Sequence, residues 1–198
     1  MSIIIEPVAC TRPVSVASHL VQPIIAERIR VLVIPEASVG PIETGDALWV
    51  REGFTVLERQ RRRNLLSLRY AGEGRRYDVP WPSAMPKPES GIRDAGGMPV
   101  TASRLTLLVN SVRRCALGEV TAEEALTAGV SIDGAGFGVA GYPFLRPYDD
   151  PAAALEFMFR QLYRDAAEVP QVAVVQFRAL SRNIASLAAQ RAGEEMQA

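Results

Sequence analysis

The sequence SRLTLLVNSVRRCA, residues 103–116, decides the fold class of this chain. Leu105, Leu107 and Val109 recur at every second position. Successive side chains of a β-strand point to opposite faces, so this alternation predicts a strand with one buried face. The stretch ALWVRE, residues 47–52, repeats the pattern, with Leu48 and Val50 on one face. The two stretches predict two half-buried strands.

Outward from these strands, the chain alternates between strand and helix patterns without regular βαβ units. Further strands are predicted at residues 13–17, 28–35, 54–57, 65–70, 75–79 and 171–180. Helices are predicted from His19 to about Glu27 with Ser18 as the cap, from Thr121 to Gly129, and from Asp150-Pro151 to about Arg164. Residues 80–99, rich in Pro and Gly, and the glycine-rich residues 132–143 are predicted to be irregular loops. This order favours an α+β or barrel-like fold.

Length and hydropathy indicate one domain without a membrane span. The 198 residues can bury a single core, predicted to occupy residues 1–180, with residues 181–198 forming a C-terminal helix and a loose tail. The apolar runs fall short of the roughly 20 residues that a membrane helix needs. The first residues lack the pattern of a secretion signal, so the sequence predicts a cytoplasmic location.

The charge is balanced overall but unevenly distributed along the chain. The 22 basic residues match 22 acidic ones, yet residues 59–114 hold 12 basic and four acidic residues. Within this segment Arg59, Arg61, Arg62 and Arg63 lie close together. Guanidinium groups pair with phosphates and stack on bases, so one interpretation is a polyanion-binding surface. The alternative, a solvated turn between two strands, stays open.

The sequence offers few groups for metal or covalent chemistry. His19 is the only histidine, and Cys10 and Cys115 are the only cysteines, so neither a metal site nor a disulfide framework is predicted. Gly134, Gly136 and Gly138 lack the strand and helix that flank a dinucleotide fingerprint. No cofactor is therefore expected.

Two longer stretches resemble the bacteriophage and prophage members of the ASCH family, a PUA-like group. They are GDALWVREGF, residues 45–54, and MPVTASRLTLLVNSVRRCALGEVTAEEALTAGV, residues 98–130. The helix PAAALEFMFRQLYR and the strand VAVVQFRAL occupy the places of the family's later helix and closing strand. The resemblance, spanning roughly residues 13–180, implies a PUA-like β-barrel with peripheral helices and a link to RNA or modified bases.

The resemblance also implies what this chain has lost. Relatives that hydrolyse acetylated cytidine use a Lys and a Thr before the second strand and a Glu in the short helix. Here the stretch IIAERIRVLVIP, residues 24–35, contains neither Lys nor Thr, and Ala128 occupies the Glu position. Apolar side chains cannot activate water or transfer a proton, so the hydrolase activity is not expected to carry over.

These observations predict a non-catalytic module that binds RNA or a nucleotide. The predicted binding residues are Arg28, Arg30, Arg51, Glu52, Arg61, Arg62, Arg63, Ser103 and Arg104. The resemblance implies that Arg28 or Arg30, Arg51 and Glu52 of WVRE, and Ser103 and Arg104 of ASR lie at one mouth of the barrel. An equally weighted alternative makes Glu52 and Arg104 a structural ion pair. Two other functions stay open: a degenerate amidohydrolase with Glu52 transferring protons, and a module that binds a protein partner or a second copy of itself.

Overall fold

The computed structural model describes residues 11–38, 40–60, 63–143, 147–164 and 170–184. The fold is α+β, with strands outnumbering helices in this part of the chain. The strands are β1 (Thr11–Ser15), β2 (Val31–Pro35), β3 (Ala47–Arg51), β4 (Phe54–Gln60), β5 (Leu65–Tyr70), β6 (Tyr77–Pro80), β7 (Gly91–Arg93), β8 (Thr106–Ala116), β9 (Val130–Asp133), β10 (Gly136–Val139) and β11 (Gln171–Leu180). The helices are α1 (Ser18–Ile25), α2 (Ala122–Thr127) and α3 (Pro151–Leu162).

The central sheet is five-stranded, in the order β1-β3-β8-β11-β2. Its middle strand, β8, pairs antiparallel with both β3 and β11. β1 runs parallel to β3 at one edge, and β2 closes the other edge against β11. All five residues of β2 are buried, as expected for a continuous apolar strand covered on both faces. The main hydrophobic core lies against this sheet.

A second, smaller sheet has its own core. Its order is β6-β5-β4-β7, and its buried side chains include Phe54, Leu66, Leu68, Tyr70 and Trp81. Only residues 52 and 53 separate β3, in the first sheet, from β4, in the second. Among the described strands the two sheets are not joined into a closed barrel by backbone pairing.

Helix α3 covers the main core and begins at a well-defined cap. Asp150 accepts hydrogen bonds from the backbone N–H groups of Ala152 and Ala153 at 3.2 and 3.3 Å. Pro151 follows at the first helical position, where its missing N–H costs nothing. Leu155 and Phe159, one turn apart, are fully buried, so the apolar stripe of α3 faces the core.

Most of the elements predicted from the sequence are confirmed. The strand at 171–180 has the predicted bounds. The strands predicted at 65–70 and 75–79 are β5 and β6, which begins at Tyr77 and pairs with β5 as a hairpin. The capping box of α2 forms: the Thr121 hydroxyl accepts from the Glu124 N–H at 3.2 Å, and the Glu124 carboxylate accepts from the Thr121 N–H at 2.8 Å.

Several predictions were wrong in detail. Ser18 is the first residue of α1, whose N-cap is Ala17 without a side-chain hydrogen bond. β2 begins at Val31 instead of Arg28, because the N–H groups of Arg28 and Ile29 hydrogen-bond back to the carbonyl of Pro23.

Both predicted loops contain strands. The glycine-rich loop forms the hairpin β9–β10, since Gly134 supplies a positive φ of 59° at its turn. The Pro-rich loop contains β7, which pairs with β4. The predicted C-terminal helix lies mostly outside the described residues.

Replacing the cap of α3 tests how far this local interaction stabilises the fold. We expect Asp150→Ala to lower the free energy of unfolding by about 1 kcal/mol, because two N–H groups lose their acceptor and the helix dipole loses a favourable charge. Urea denaturation measures the change. The control is Asp149→Ala, at the neighbouring exposed position. An equal effect of both variants would contradict the assignment of Asp150 as the cap of α3.

Candidate functional site

Four of the predicted binding residues meet where the two sheets join. Arg51 and Glu52 lie at the end of β3, and Ser103 and Arg104 directly precede β8. The Val50 N–H donates to the Leu105 carbonyl at 2.9 Å, which places the two segments side by side. The sequence patterns WVRE and ASR are therefore neighbours in space.

Glu52 and Arg104 form a bidentate ion pair. Arg104 Nε lies 2.7 Å from Glu52 Oε1, and Arg104 NH2 lies 2.8 Å from Glu52 Oε2. The Glu52 side chain is 1% exposed and the Arg104 side chain 16%. Both carboxylate oxygens are thus engaged by one guanidinium group in a site with little water, the geometry in which such pairs are strongest.

The remaining contacts of Arg104 come from the second sheet. Its NH1 donates to Glu73, in the turn between β5 and β6. Its guanidinium carbon lies 4.1 Å from the centre of the Tyr70 ring, within the range of a cation–π interaction. Tyr70 in turn donates to the Ala102 carbonyl at 2.7 Å, and Tyr77 donates to Glu73 at 2.9 Å. Arg104 therefore connects the end of β3 with the second core.

The two carboxylates around Arg104 are affected in opposite directions. Burial raises the pKa of Glu52, although the hydrogen bonds from Arg104 oppose it. Burial also acts to raise the pKa of Glu73, but hydrogen bonds from Arg104 and Tyr77 outweigh it and leave that pKa below its usual value. The hydrogen-bonding capacity of this cluster is used inside the protein, so it offers no free acid or base.

Ser103 is also occupied by structural contacts, whereas Arg51 is only partly engaged, since its buried Nε has no hydrogen-bond partner among the described residues. The buried Ser103 hydroxyl donates to the Leu105 carbonyl at 3.1 Å, and its own carbonyl accepts from Asn183 at 2.6 Å. Arg51 lies against the Trp49 ring at 5.9 Å, and its NH1 lies 3.5 Å from the Gly96 carbonyl. The structural interpretation of this cluster is therefore favoured over direct ligand binding.

Arg28 and Arg30 lie elsewhere, away from this cluster. Arg30 lines a polar cleft together with Asn110, Thr127 and Gln176. Asn110 follows Arg104 by six residues along the chain, roughly 20 Å along an extended strand. Arg28 is exposed after α1. The prediction of a single site combining Arg28 or Arg30 with Arg51, Glu52, Ser103 and Arg104 was wrong, because β8 separates the two groups along its length.

The arginine-rich segment, residues 59–63, begins with Arg59 near the end of β4 and leads into the connection to β5. Arg61 and Arg62 are outside the described residues, while Arg59 and Arg63 flank them and are exposed. Neither Arg59 nor Arg63 forms an ion pair with a described residue. By contrast, Arg76 on the same sheet pairs with Glu58 at 2.8 Å. The described arginines of this segment are therefore free to contact an external anion.

The position that the resemblance assigns to a catalytic Glu lies in an apolar cleft. Ala128 lines this cleft of about 230 Å³ with Leu20, Leu32, Met158 and Tyr163. Burial raises the pKa of the Tyr163 phenol, so this group stays protonated at neutral pH. The cleft thus has an apolar wall where a hydrolase needs a proton-transfer group.

Other candidate groups have ordinary structural surroundings. His19 packs edge-on against Tyr142 at 5.9 Å, and burial lowers its pKa. Cys115 is buried, while Cys10 lies outside the described residues. Within the described ranges, no group of three or more His, Cys, Asp or Glu side chains is placed to hold a metal ion. The described helices are too short or too polar to cross a bilayer.

Comparison with protein-family models, with curated proteins and with solved structures found no match to this chain. The sequence patterns predicted Glu52 and Arg104 but missed Glu73, Tyr70 and Tyr77, which complete the cluster. Glu73 lies in the loop AGEG, where an acidic residue is ordinary. The two tyrosines are indistinguishable by pattern from other strand residues, so no local signal identifies them.

Replacing Glu52 should destabilise the protein. We expect Glu52→Gln to lower the free energy of unfolding by about 3 kcal/mol, since the Gln amide NH2 group cannot accept the second hydrogen bond of Arg104 and leaves two buried donors facing each other. Thermal and urea denaturation measure the effect. Glu58→Gln removes one carboxylate from an exposed pair with Arg76 and should leave the unfolding midpoint nearly unchanged. Equal effects of the two variants would contradict a stabilising role for Glu52.

Glu73 should make stability depend on pH in the acidic range. The pKa of Glu73 is lower in the folded protein than in the unfolded chain, where it has the usual Glu value of about 4.3. The ionised carboxylate therefore stabilises the fold fully above that pH. This contribution is lost as the pH falls through the folded pKa. The stability difference between the wild type and Glu73→Gln should therefore shrink between pH 7 and pH 3. Urea denaturation across this range tests it, with the exposed Glu89→Gln as control. A difference that stays constant would rule out the linkage.

Proposed function

We propose that this chain is a PUA-like module of the ASCH type that binds RNA or a nucleotide through basic side chains and does not catalyse a reaction. The observation that carries the proposal is the arginine-rich segment 59–63 at the end of β4, whose described members Arg59 and Arg63 are exposed and have no described carboxylate partner. Two further arginines, Arg61 and Arg62, lie between them in the sequence.

The positions of the two motifs support the family part of the proposal. GDALWVRE forms β3 and ASRLTLLV leads into β8, and these two strands are paired neighbours. The closing strand suggested by the resemblance, β11, flanks β8 on its other side. The elements that carry the resemblance thus form the centre of one sheet. On this proposal the two sheets, with α1, α2 and α3 around them, correspond to the barrel and peripheral helices of a PUA-like fold.

The distribution of ion pairs supports phosphate contacts at the arginine-rich segment. Arg104, Arg113 and Arg114 each pair with a carboxylate, so they contribute little free positive charge. Arg69 and Arg75 are exposed on the second sheet without a described ion pair, and Arg75 lies 5.2 Å from the Tyr77 ring. Exposed guanidinium groups next to aromatic rings suit single-stranded nucleic acid, where phosphates and bases are both accessible.

The surroundings of the candidate catalytic groups favour binding without catalysis. Ala128 lies in an apolar wall, and both oxygens of Glu52 are engaged by Arg104. A proton-transfer role for Glu52 would require this ion pair to open, at a cost comparable to breaking a buried pair. The degenerate amidohydrolase is therefore the less favoured alternative.

Salt-dependent RNA binding tests the proposal. Fluorescence anisotropy with a labelled single-stranded RNA should detect binding at about 50 mM salt and much weaker binding at about 200 mM, because arginines that contact phosphates release counterions. In Arg59→Ala/Arg63→Ala, the slope of log affinity against log salt should be shallower by about 1.4, the value for two lost contacts to a single strand.

The control is Arg160→Ala/Arg164→Ala at the end of α3, which removes two positive charges elsewhere. This variant should bind with nearly the wild-type slope. Absence of binding at the lower salt concentration would overturn the proposal. So would an equal loss in both double variants, because the arginine-rich segment would then have no special role.

A further inference from the structure

A polar cleft of about 350 Å³ lies where β2, β8 and β11 meet beside α2. Its wall includes Arg30, Asn110, Thr127 and Gln176. None of its described lining residues belongs to the apolar cleft around Ala128. It is also separate from the ion-pair cluster of Arg104, so that cluster does not account for its polar groups.

An irregularity in the central sheet produces this cleft. The register between β8 and β11 shifts between Gln176 and Phe177, which leaves Asn110 without a paired residue on β11. Bulges of this kind redirect side chains and are common beside binding sites. Backbone hydrogen bonds from Phe177 to Arg30 and from Arg30 to Thr127, both 3.0 Å, hold the surrounding wall in place. The cleft is therefore preformed.

The amide side chains of the cleft are available to a ligand. Asn110 and Gln176 are exposed, and neither side chain hydrogen-bonds another described residue. Each amide offers a donor beside an acceptor. The Thr127 hydroxyl donates to the Glu123 carbonyl at 2.9 Å and keeps its capacity to accept. The wall thus presents several adjacent donors and acceptors.

Of the charged groups that line the cleft, Arg30 and Glu124 have partners within the protein, whereas the Glu123 carboxylate has no described ion pair and leaves the cleft unfavourable for an anion. Arg30 Nε donates to the Glu27 carbonyl at 3.0 Å, and Arg30 NH2 lies 3.8 Å from the Glu27 carboxylate. Glu124 is engaged by Arg113 at 2.6 Å. The cleft therefore favours a neutral polar group over a multiply charged anion such as a free phosphate.

We propose that this cleft binds a nucleobase, held at its hydrogen-bonding edge by the amides of Asn110 and Gln176. Asn and Gln side chains pair with base edges through a donor and an acceptor at once, and unpaired bases of RNA expose such edges. A volume of about 350 Å³ is near the lower end of small-molecule sites. The inference rests on the proposed function, since the base would belong to the bound RNA or nucleotide.

The four neutral ribonucleosides, adenosine, guanosine, cytidine and uridine, are the direct probes because they carry no phosphate. NMR titration of the full chain should show binding of at least one of them at up to about 5 mM. Asn110→Ala and Gln176→Ala should each weaken that binding by about tenfold, as expected for the loss of a two-point contact to a base. Both positions are exposed, and an unchanged unfolding midpoint would establish that the variants fold.

Gln171→Ala, an exposed glutamine at the other end of β11, is the matched control and should bind like the wild type. No binding of any nucleoside, or equal binding by all three variants, would overturn the cleft assignment. If the wild type binds RNA in a salt-dependent manner but binds no nucleoside, the cleft assignment fails and the proposed function stands. Nucleoside binding that depends on Asn110 and Gln176, without any RNA binding, would support the cleft and overturn the phosphate contacts at the arginine-rich segment.

Discussion

The structure depends on one guanidinium group at the junction of two sheets. Arg104 binds Glu52 with two nitrogens and Glu73 with the third, while its flat face covers the Tyr70 ring. Glu52 belongs to the end of β3, whereas Glu73 and Tyr70 belong to the second sheet. A charge this poorly exposed needs all its partners in place, so Arg104 couples the positions of Glu52, Glu73 and Tyr70.

Local sequence patterns predicted the elements that are marked by alternating apolar residues or by a capping residue. The alternation of Leu105, Leu107 and Val109 identified β8, and Asp150 followed by Pro identified the start of α3. The glycine-rich hairpin β9–β10 was missed because Gly134, Gly136 and Gly138 interrupt the strand pattern, and glycine is depleted in strands. Its pairing depends on the turn at Gly134 and on the contact of Phe137 with Tyr148, which are distant in sequence.

The candidate site could be predicted only in part. WVRE and ASR indicated a charged pair, and the structure brings Glu52 and Arg104 together. Nothing in the sequence indicated that Glu73, Tyr70 and Tyr77 would surround this pair. The opposite error concerned Arg30, which the resemblance placed with that pair at one mouth of the barrel. The register of β8 against β11 places Arg30 beside Asn110 and Gln176 instead, and strand register is a property of the whole sheet.

The central claim is that Arg104 makes the two sheets unfold as one unit. Native-state hydrogen exchange measured by mass spectrometry tests it in the wild type and in Arg104→Leu. We predict that peptides from β8 and β11 and peptides from β4 and β5 exchange through a common opening in the wild type. In the variant, the β4–β5 peptides should exchange at least about tenfold faster than the β8–β11 peptides. Equal acceleration in both sheets, or no change in either, would contradict the claim.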